Sequence, residues 1–165
     1  ISFIIKSNVR DGSLRQSGLE HKLPMLLFEG GEALRFEESV IKVALDGILS
    51  VMHEIGMLDQ LRKTRRAKAK PYIAKSSFWM RATRSGIVRT VGRIGQLVHK
   101  DEVIAVISDP YGDEIETVVA RLEGIIIGAL VLPVVHEGDA LFHIATFEEP
   151  EKVEESLSDH DDYGL

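Results

Sequence analysis

The chain of 165 residues is 44% hydrophobic and 28% charged, a balance typical of one globular domain or two small ones. Its formal net charge of −6 excludes a uniformly basic nucleic-acid or membrane binder. The absence of cysteine excludes disulfide frameworks, thiolate zinc sites and thiol nucleophiles, and it favours a cytoplasmic, reducing compartment.

The first third of the chain has α/β patterning. Bulky β-forming residues predict a strand at 1–5, and the continuous apolar run at 23–28 predicts a second strand buried on both faces, as in a parallel sheet. Asp11 or Ser13 is placed to cap a short helix between them, which gives a strand–helix–strand crossover. Apolar residues in steps of three and four predict a long helix over 36–57. Because two strands rarely form a stable sheet alone, we expect a neighbour to cover an exposed strand edge.

The rest of the chain changes character three times. Eleven Lys and Arg residues and no acidic residue lie between Arg62 and Arg93, and their densest part is typical of a solvated linker. Short β-rich runs then alternate with turns, which predicts a small barrel or sandwich. Residues 98–104 resemble residues 135–141, which predicts two related halves. We therefore divide the chain into an α/β segment, a basic linker, an all-β domain and an acidic, frayed tail, at residues 1–61, 62–77, 78–147 and 148–165.

The strongest candidate chemistry lies in the segment Leu-Leu-Phe-Glu-Gly-Gly-Glu at 26–32. It places Glu29 at the carboxyl end of the predicted second strand, the edge where open α/β sheets bind ligands. Gly30 and Gly31 allow a backbone or a ligand to approach closely. A carboxylate at this position can act as a general base. The alternative is a group of acids that simply precedes the long helix.

Five segments together resemble the succinylglutamate desuccinylase/aspartoacylase family: GSLR at 12–15, LFEGGEALRF at 27–36, WMRA at 79–82, SGIV at 85–88 and PVVHEGDALF at 133–142. The resemblance implies the C-terminal portion of a zinc hydrolase. Its fold would be a fragment of a carboxypeptidase-like α/β catalytic domain, followed by an all-β, lipoyl-like domain of the barrel-sandwich hybrid type. Since the chain begins at Ile1 without a leader, we interpret it as a fragment of a longer protein or as a processed chain.

The same resemblance implies roles for two side chains. Glu29 occupies the place of the family's general-base glutamate, and Arg15 that of an arginine that binds a substrate carboxylate. The family's zinc ligands are two histidines and a glutamate, the first histidine and the glutamate forming a His-x-x-Glu motif, and they lie upstream of this region. The six histidines here are scattered through the sequence, so we expect zinc and its ligands to come from upstream and this fragment alone to be inactive.

The reaction implied is cleavage of an amide bond in an N-acyl amino acid or a similar small substrate. We expect no nucleic-acid or membrane partner. The sequence is compatible with a homo-oligomer. Two alternatives remain open: a non-catalytic binding module built on the β-barrel, and a nucleic-acid-associated protein that uses the basic stretch at 62–93. A biotin or lipoyl carrier domain holds its cofactor on a lysine in the turn between its two halves. The turn at 108–114 has this position and contains no lysine, so such a carrier is excluded.

Overall fold

The computed structural model describes residues 3–59 and 71–161. The chain divides into two compact units, one within Ser7–Lys70 and the other formed by Ser2–Lys6 with Pro71–Leu165. We call them the helical unit and the β unit. The basic segment at 60–70 lies outside the described residues, so the core of the predicted linker is not described.

The helical unit contains two helices, α1 Leu14–Glu20 and α2 Glu38–Glu54. Of the two predicted caps of α1, Asp11 and Ser13, the structure has Ser13. Its Oγ accepts a hydrogen bond from the backbone N of Gln16 at 3.2 Å. The predicted long helix is confirmed as α2, with slightly shorter ends. Gly18 is the one buried residue among those described in this unit.

The predicted strand at 23–28 is wrong. These residues are irregular and exposed, with Leu26 92% and Leu27 64% accessible. A strand needs a hydrogen-bonding partner, and none of the described residues pairs with this segment. The first predicted strand does form, as β1 Phe3–Ile5, but it pairs in parallel with β2 Tyr72–Ala74 of the β unit. The strand–helix–strand crossover is therefore wrong too, and residues 71–77 of the predicted linker include β2 and the start of the next strand.

Eight further strands build the β unit: β3 Ser76–Arg81, β4 Gly86–Thr90, β5 Leu97–Val98, β6 Val103–Ser108, β7 Glu114–Val119, β8 Gly124–Ala129, β9 Val134–Val135 and β10 Ala140–Thr146. They form two four-stranded antiparallel sheets, with strand orders β3-β10-β8-β5 and β7-β6-β4-β9. No strand pairing among the described residues closes these sheets into a barrel.

The predicted internal repeat is visible in the two sheets. The strands β3, β4, β5 and β6 correspond to β7, β8, β9 and β10, in that order. When each strand is replaced by its counterpart, the order β3-β10-β8-β5 becomes β7-β6-β4-β9. Corresponding glycines also have the same surroundings. A Cβ on Gly86 would lie 2.6 Å from the Ser108 carbonyl oxygen, and one on Gly124 would lie 2.6 Å from that of Ala145. The repeat therefore reflects equivalent packing as well as similar sequence.

The principal core of the β unit lies among the four-stranded sheets and includes Phe142, Ile104 and Ile144, all fully buried. A second buried cluster joins Ala145 and Ile125 to a C-terminal helix, α3 Pro150–Asp161, through its fully buried Val153.

The frayed tail expected from the acidic composition is therefore wrong over α3. Its apolar residues Val153 and Leu157, four positions apart, lie on one helix face and pack on the sheet. Glu154 adds a polar contact, since its Oε1 accepts a hydrogen bond from the backbone N of Leu97 at 2.8 Å. Among the described residues, none of the helices is both long and apolar enough to cross a membrane.

Candidate functional site

Glu29 lies in the irregular segment between α1 and α2, not at the end of a strand. Its side chain is exposed, and it makes no hydrogen bond or ion pair with another described residue. The carboxylate is thus not packed in the protein interior, and none of the described cations forms an ion pair with it. A carboxylate in this condition is accessible to a ligand that approaches it.

The two glycines that follow Glu29 lie at a bend of the backbone, which we call the glycine turn. Gly31 has a φ of +86°, a left-handed conformation that side-chain-bearing residues rarely adopt. A Cβ on Gly30 would lie 2.9 Å from Cγ1 of Val40, so this position has no room for a side chain unless Val40 moves. The backbone N of Glu32 donates a hydrogen bond to Oε1 of Glu37 at 2.6 Å. The turn is therefore tied to the start of α2.

A cavity of about 170 Å³ lies between this turn and the first turn of α2. Gly30 and Gly31 form one side of it, while Phe36, Val40 and Ile41 contribute apolar surface. Glu29 does not line this cavity.

The polar lining of the same cavity includes a surface ion pair. Arg35 Nε lies 3.2 Å from Glu32 Oε2, with side chains that are 69% and 31% exposed. An ion pair this exposed contributes little to stability.

Arg15, the predicted contact for a substrate carboxylate, lies on α1 and is partly buried. Its Nη1 donates a hydrogen bond to Oγ of Ser7 at 2.8 Å. No hydrogen bond or ion pair joins it to Glu29. A larger cavity of about 500 Å³ beside α1 is lined by Leu14 and Met25 among others, and Arg15 is absent from its lining. The described contacts thus do not link the two predicted site residues.

No group of three or more His, Cys, Asp or Glu residues that could hold a metal occurs in the described parts of the chain. His99 and Glu102 do have the His-x-x-Glu spacing of the family's zinc motif. Here Oε2 of Glu102 accepts a hydrogen bond from the backbone N of His99 at 2.8 Å, so the spacing closes a turn. Asp139 does the same for the backbone N of His136, also at 2.8 Å, in the other half of the repeat.

The His99 imidazole is oriented by a carboxylate from another turn. Its Nδ1 lies 2.9 Å from Oε2 of Glu123. This hydrogen bond, with smaller contributions from the charges of Glu123, Glu102 and Glu151, raises the pKa of His99 above the ordinary histidine value, although desolvation acts in the opposite direction. The pair is a solvated surface feature.

Two features of the structure are absent from the sequence-based predictions. Glu37 contacts the glycine turn, and the only signal for it in the sequence is an acid just before the long helix. Trp79 stacks on His143, with ring centroids 4.3 Å apart and an angle of 11° between the ring planes. These two residues are directly opposite each other on β3 and β10, a pairing that needs the strand register to be known.

Comparison with known proteins gives matches at the level of structure. No family model and no curated protein matches the sequence. The structure of a succinylglutamate desuccinylase from Silicibacter sp. TM1040 matches with a TM-score of 0.73 and 15% identity, over 87% of this chain and 44% of that chain. A succinylglutamate desuccinylase/aspartoacylase from Rhodobacter sphaeroides matches with a TM-score of 0.55 and 19% identity, over 68% of this chain and 37% of that one.

The apo structure of the ectoine utilization protein EutE (DoeB) from Ruegeria pomeroyi also matches, with a TM-score of 0.59 and 15% identity, over 68% of this chain and 36% of that chain. This chain therefore spans less than half the length of these structures. The resemblance predicted from the sequence is confirmed by neighbours from the same family. At these identities the likeness concerns the fold, and the chain has the fold of a fragment of succinylglutamate desuccinylase/aspartoacylase family proteins.

Proposed function

We propose that this chain is the C-terminal part of a zinc-dependent hydrolase that cleaves the amide bond of an N-acyl amino acid or a similar small substrate. The observation that carries the proposal is the match to a succinylglutamate desuccinylase over 87% of the chain with a TM-score of 0.73. That protein's name describes removal of an acyl group from an amino acid. The exposed carboxylate of Glu29, which pairs with none of the described residues and lies beside a glycine turn, supports the same chemistry.

Glu29 serves this reaction as the group that moves protons. Its carboxylate takes a proton from the attacking water as the water oxygen bonds to the amide carbonyl carbon. When the carbon–nitrogen bond breaks, the same proton passes from Glu29 to the leaving nitrogen. The substrate is thus converted into a carboxylic acid, which keeps the second proton of the water, and an amine, and Glu29 returns to its ionised form; the acid then transfers its proton to solvent or to the amine.

The described residues of this chain do not supply a zinc site, because no three suitable donors converge. We assign zinc and its ligands to a part of the enzyme outside this chain, and we expect the chain alone to be inactive. Arg15 is proposed to bind a substrate carboxylate through the paired donors of its guanidinium group. The hydrogen bond to Ser7 uses only Nη1 of Arg15, which leaves its Nε and Nη2 donors for such a contact.

The β unit is proposed to be a barrel-sandwich hybrid domain, since its two sheets are built from a two-fold repeat. A binding module without catalysis is the second candidate function, and the complete core of this unit favours it. The coding sequence upstream discriminates the two, because a His-x-x-Glu motif followed by a further histidine on a strand supports the enzyme. A small-molecule substrate, no nucleic-acid or membrane partner, and a cytoplasmic location remain predictions, and a homo-oligomer stays compatible with them.

The test is a Glu29→Gln variant of the full-length parent protein. Glutamine keeps the size of the side chain but cannot take up the proton. We expect unchanged zinc content and a loss of about 10²–10⁴-fold in kcat for deacylation of N-acyl amino acids. Glu38→Gln, an exposed acid in the first turn of α2, is the matched control and should retain kcat within about twofold. Normal turnover by the Glu29→Gln variant would show that Glu29 has been assigned wrongly.

A further inference from the structure

Glu37 is the residue immediately before α2, yet its side chain does not cap that helix. Its Oε1 instead accepts a hydrogen bond from the backbone N of Glu32, at 2.6 Å. The same oxygen would lie 3.6 Å from a Cβ on Gly31, so the carboxylate lies directly against the turn. The contact spans five residues and connects the turn after Glu29 with a regular helix.

The backbone around this contact is constrained. Gly31 has a φ of +86°, and Leu34, which carries a side chain, has a φ of 64°. A non-glycine residue in this region is uncommon and persists when its surroundings enforce the conformation. The Glu37 carboxylate and the close approach of Val40 to Gly30 are two such restraints. Without the first, the segment between Glu29 and α2 loses its one hydrogen bond to the start of that helix.

We propose that Glu37 is a positioning residue that fixes the turn at Gly30 and Gly31 and thereby holds Glu29 in place for proton transfer. This inference rests on the proposed function of Glu29. Misplacement of a reacting group by about 1 Å can cost about 10²-fold in rate. A single lost restraint in a turn that keeps its packing against Val40 should therefore lower kcat by about tenfold.

Two substitutions separate the reach of the Glu37 side chain from its charge. Glu37→Gln keeps an oxygen at the same distance and removes the charge, whereas Glu37→Asp keeps the charge and shortens the side chain by one methylene. A role in neutralising the helix dipole predicts that Asp is tolerated and Gln is not. Positioning predicts the opposite. Glu38→Gln again provides the control, because it removes a neighbouring exposed charge from α2.

The first measurement is hydrogen exchange at the backbone N of Glu32 in this 165-residue chain. We expect faster exchange in Glu37→Asp and exchange close to that of the wild type in Glu37→Gln and Glu38→Gln. Equal exchange rates at Glu32 in all four proteins would overturn the proposal. This measurement requires no activity, so it remains decisive if the proposed hydrolase function fails.

The second measurement is deacylation kinetics of the same variants in the full-length parent protein. We expect Glu37→Asp to lower kcat about tenfold with KM within about twofold and unchanged zinc content, and Glu37→Gln to restore kcat. Equal loss in Gln and Asp, or no loss in either, would overturn positioning. If Glu29→Gln keeps normal turnover, the proposed function itself has failed, and the exchange measurement at Glu32 then decides whether the contact exists.

Discussion

The two units of this chain differ most clearly in how they bury apolar side chains. All the buried hydrophobic residues among those described belong to the β unit, where Phe142, Ile104 and Ile144 are fully enclosed. In the helical unit, α2 has the apolar periodicity of a core-facing helix but no buried residue. Leu45 and Ile48 on that helix are 52% and 57% exposed.

The contrast shows that secondary structure and tertiary burial depend on different information. The helices follow from local features, such as the Ser13 cap of α1 and the apolar steps of α2. Burial needs a partner surface, which the β unit obtains from its own repeat. Most of the stability of a helix in a protein comes from packing of its apolar face, and none of the 17 residues of α2 is buried. Most of the stability of this chain should therefore reside in the β unit.

The difference in burial between the two units is tested most strongly by the truncation of one phenylalanine to alanine in each unit. Phe142→Ala leaves a cavity in a fully buried site and should lower the free energy of unfolding by about 3–5 kcal/mol. Phe36→Ala removes a ring that is 91% exposed in the helical unit and should change it by about 0.5 kcal/mol or less. Urea denaturation of this chain measures both. Similar losses in the two variants would mean that the helical unit contributes a core of its own.

Substitution of a glycine by alanine should change the stability by a smaller amount, and with opposite sign in the two units. Gly124→Ala places a Cβ 2.6 Å from the Ala145 carbonyl oxygen, so the β unit should lose about 1–3 kcal/mol. Apart from its own helix backbone and chain neighbours, Gly47 on α2 has no described atom within 4 Å of the corresponding position, and alanine there should stabilise the helix by up to about 1 kcal/mol. Thermal melts report the first change and far-UV circular dichroism the second. Destabilisation by Gly47→Ala would indicate packing on α2 that the structure does not have.

The elements that could be predicted from the sequence are those with a local cause. The repeat was recognisable because its glycines and turn acids make equivalent contacts in both halves. Glu102 and Asp139 each accept a hydrogen bond from the backbone N of the histidine three residues earlier. Gly86 and Gly124 each avoid a backbone carbonyl of a neighbouring strand. Contacts of this kind restrict which residue types can occupy a position, so they can be recognised in the sequence.

Elements whose cause is distant were predicted incorrectly. The apolar run at 23–28 has the composition of a buried strand, but composition does not supply a partner strand. The acidic composition of α3 concealed two apolar residues, Val153 and Leu157, whose spacing of four is the actual helical signal. Overall charge was therefore a poorer guide to this segment than periodicity.

The candidate site was predictable in part for the same reason. The residues Glu29, Gly30 and Gly31 are adjacent in the sequence, so a carboxylate beside a glycine pair that allows close approach could be anticipated. The hydrogen bond between Glu32 and Glu37 depends on the path of the loop, which includes a left-handed Leu34 that its residue type does not favour. Whether Arg15 acts with Glu29 remains a prediction.

The smallest expected effect concerns pH and is confined to the β unit. The hydrogen bond from His99 to Glu123 raises the pKa of His99 in the folded state. The contribution of this pair to stability is therefore fully present below the pKa of His99 in the unfolded chain, and it is lost as the pH rises through the folded-state pKa. The two side chains are 65% and 51% exposed, so the contribution is small and weakened by salt.

Glu123→Gln should therefore lower the pKa of His99, as measured by NMR titration of its ring protons. Glu137→Gln, which removes an exposed acid from the turn of the other half that corresponds to the His99 turn, should leave the pKa of His99 unchanged. An unaltered His99 titration in Glu123→Gln would show that the charges of Glu102 and Glu151 cause the shift instead. The stability difference between wild type and Glu123→Gln should also shrink above the pKa of His99, because the neutral imidazole interacts only weakly with the carboxylate.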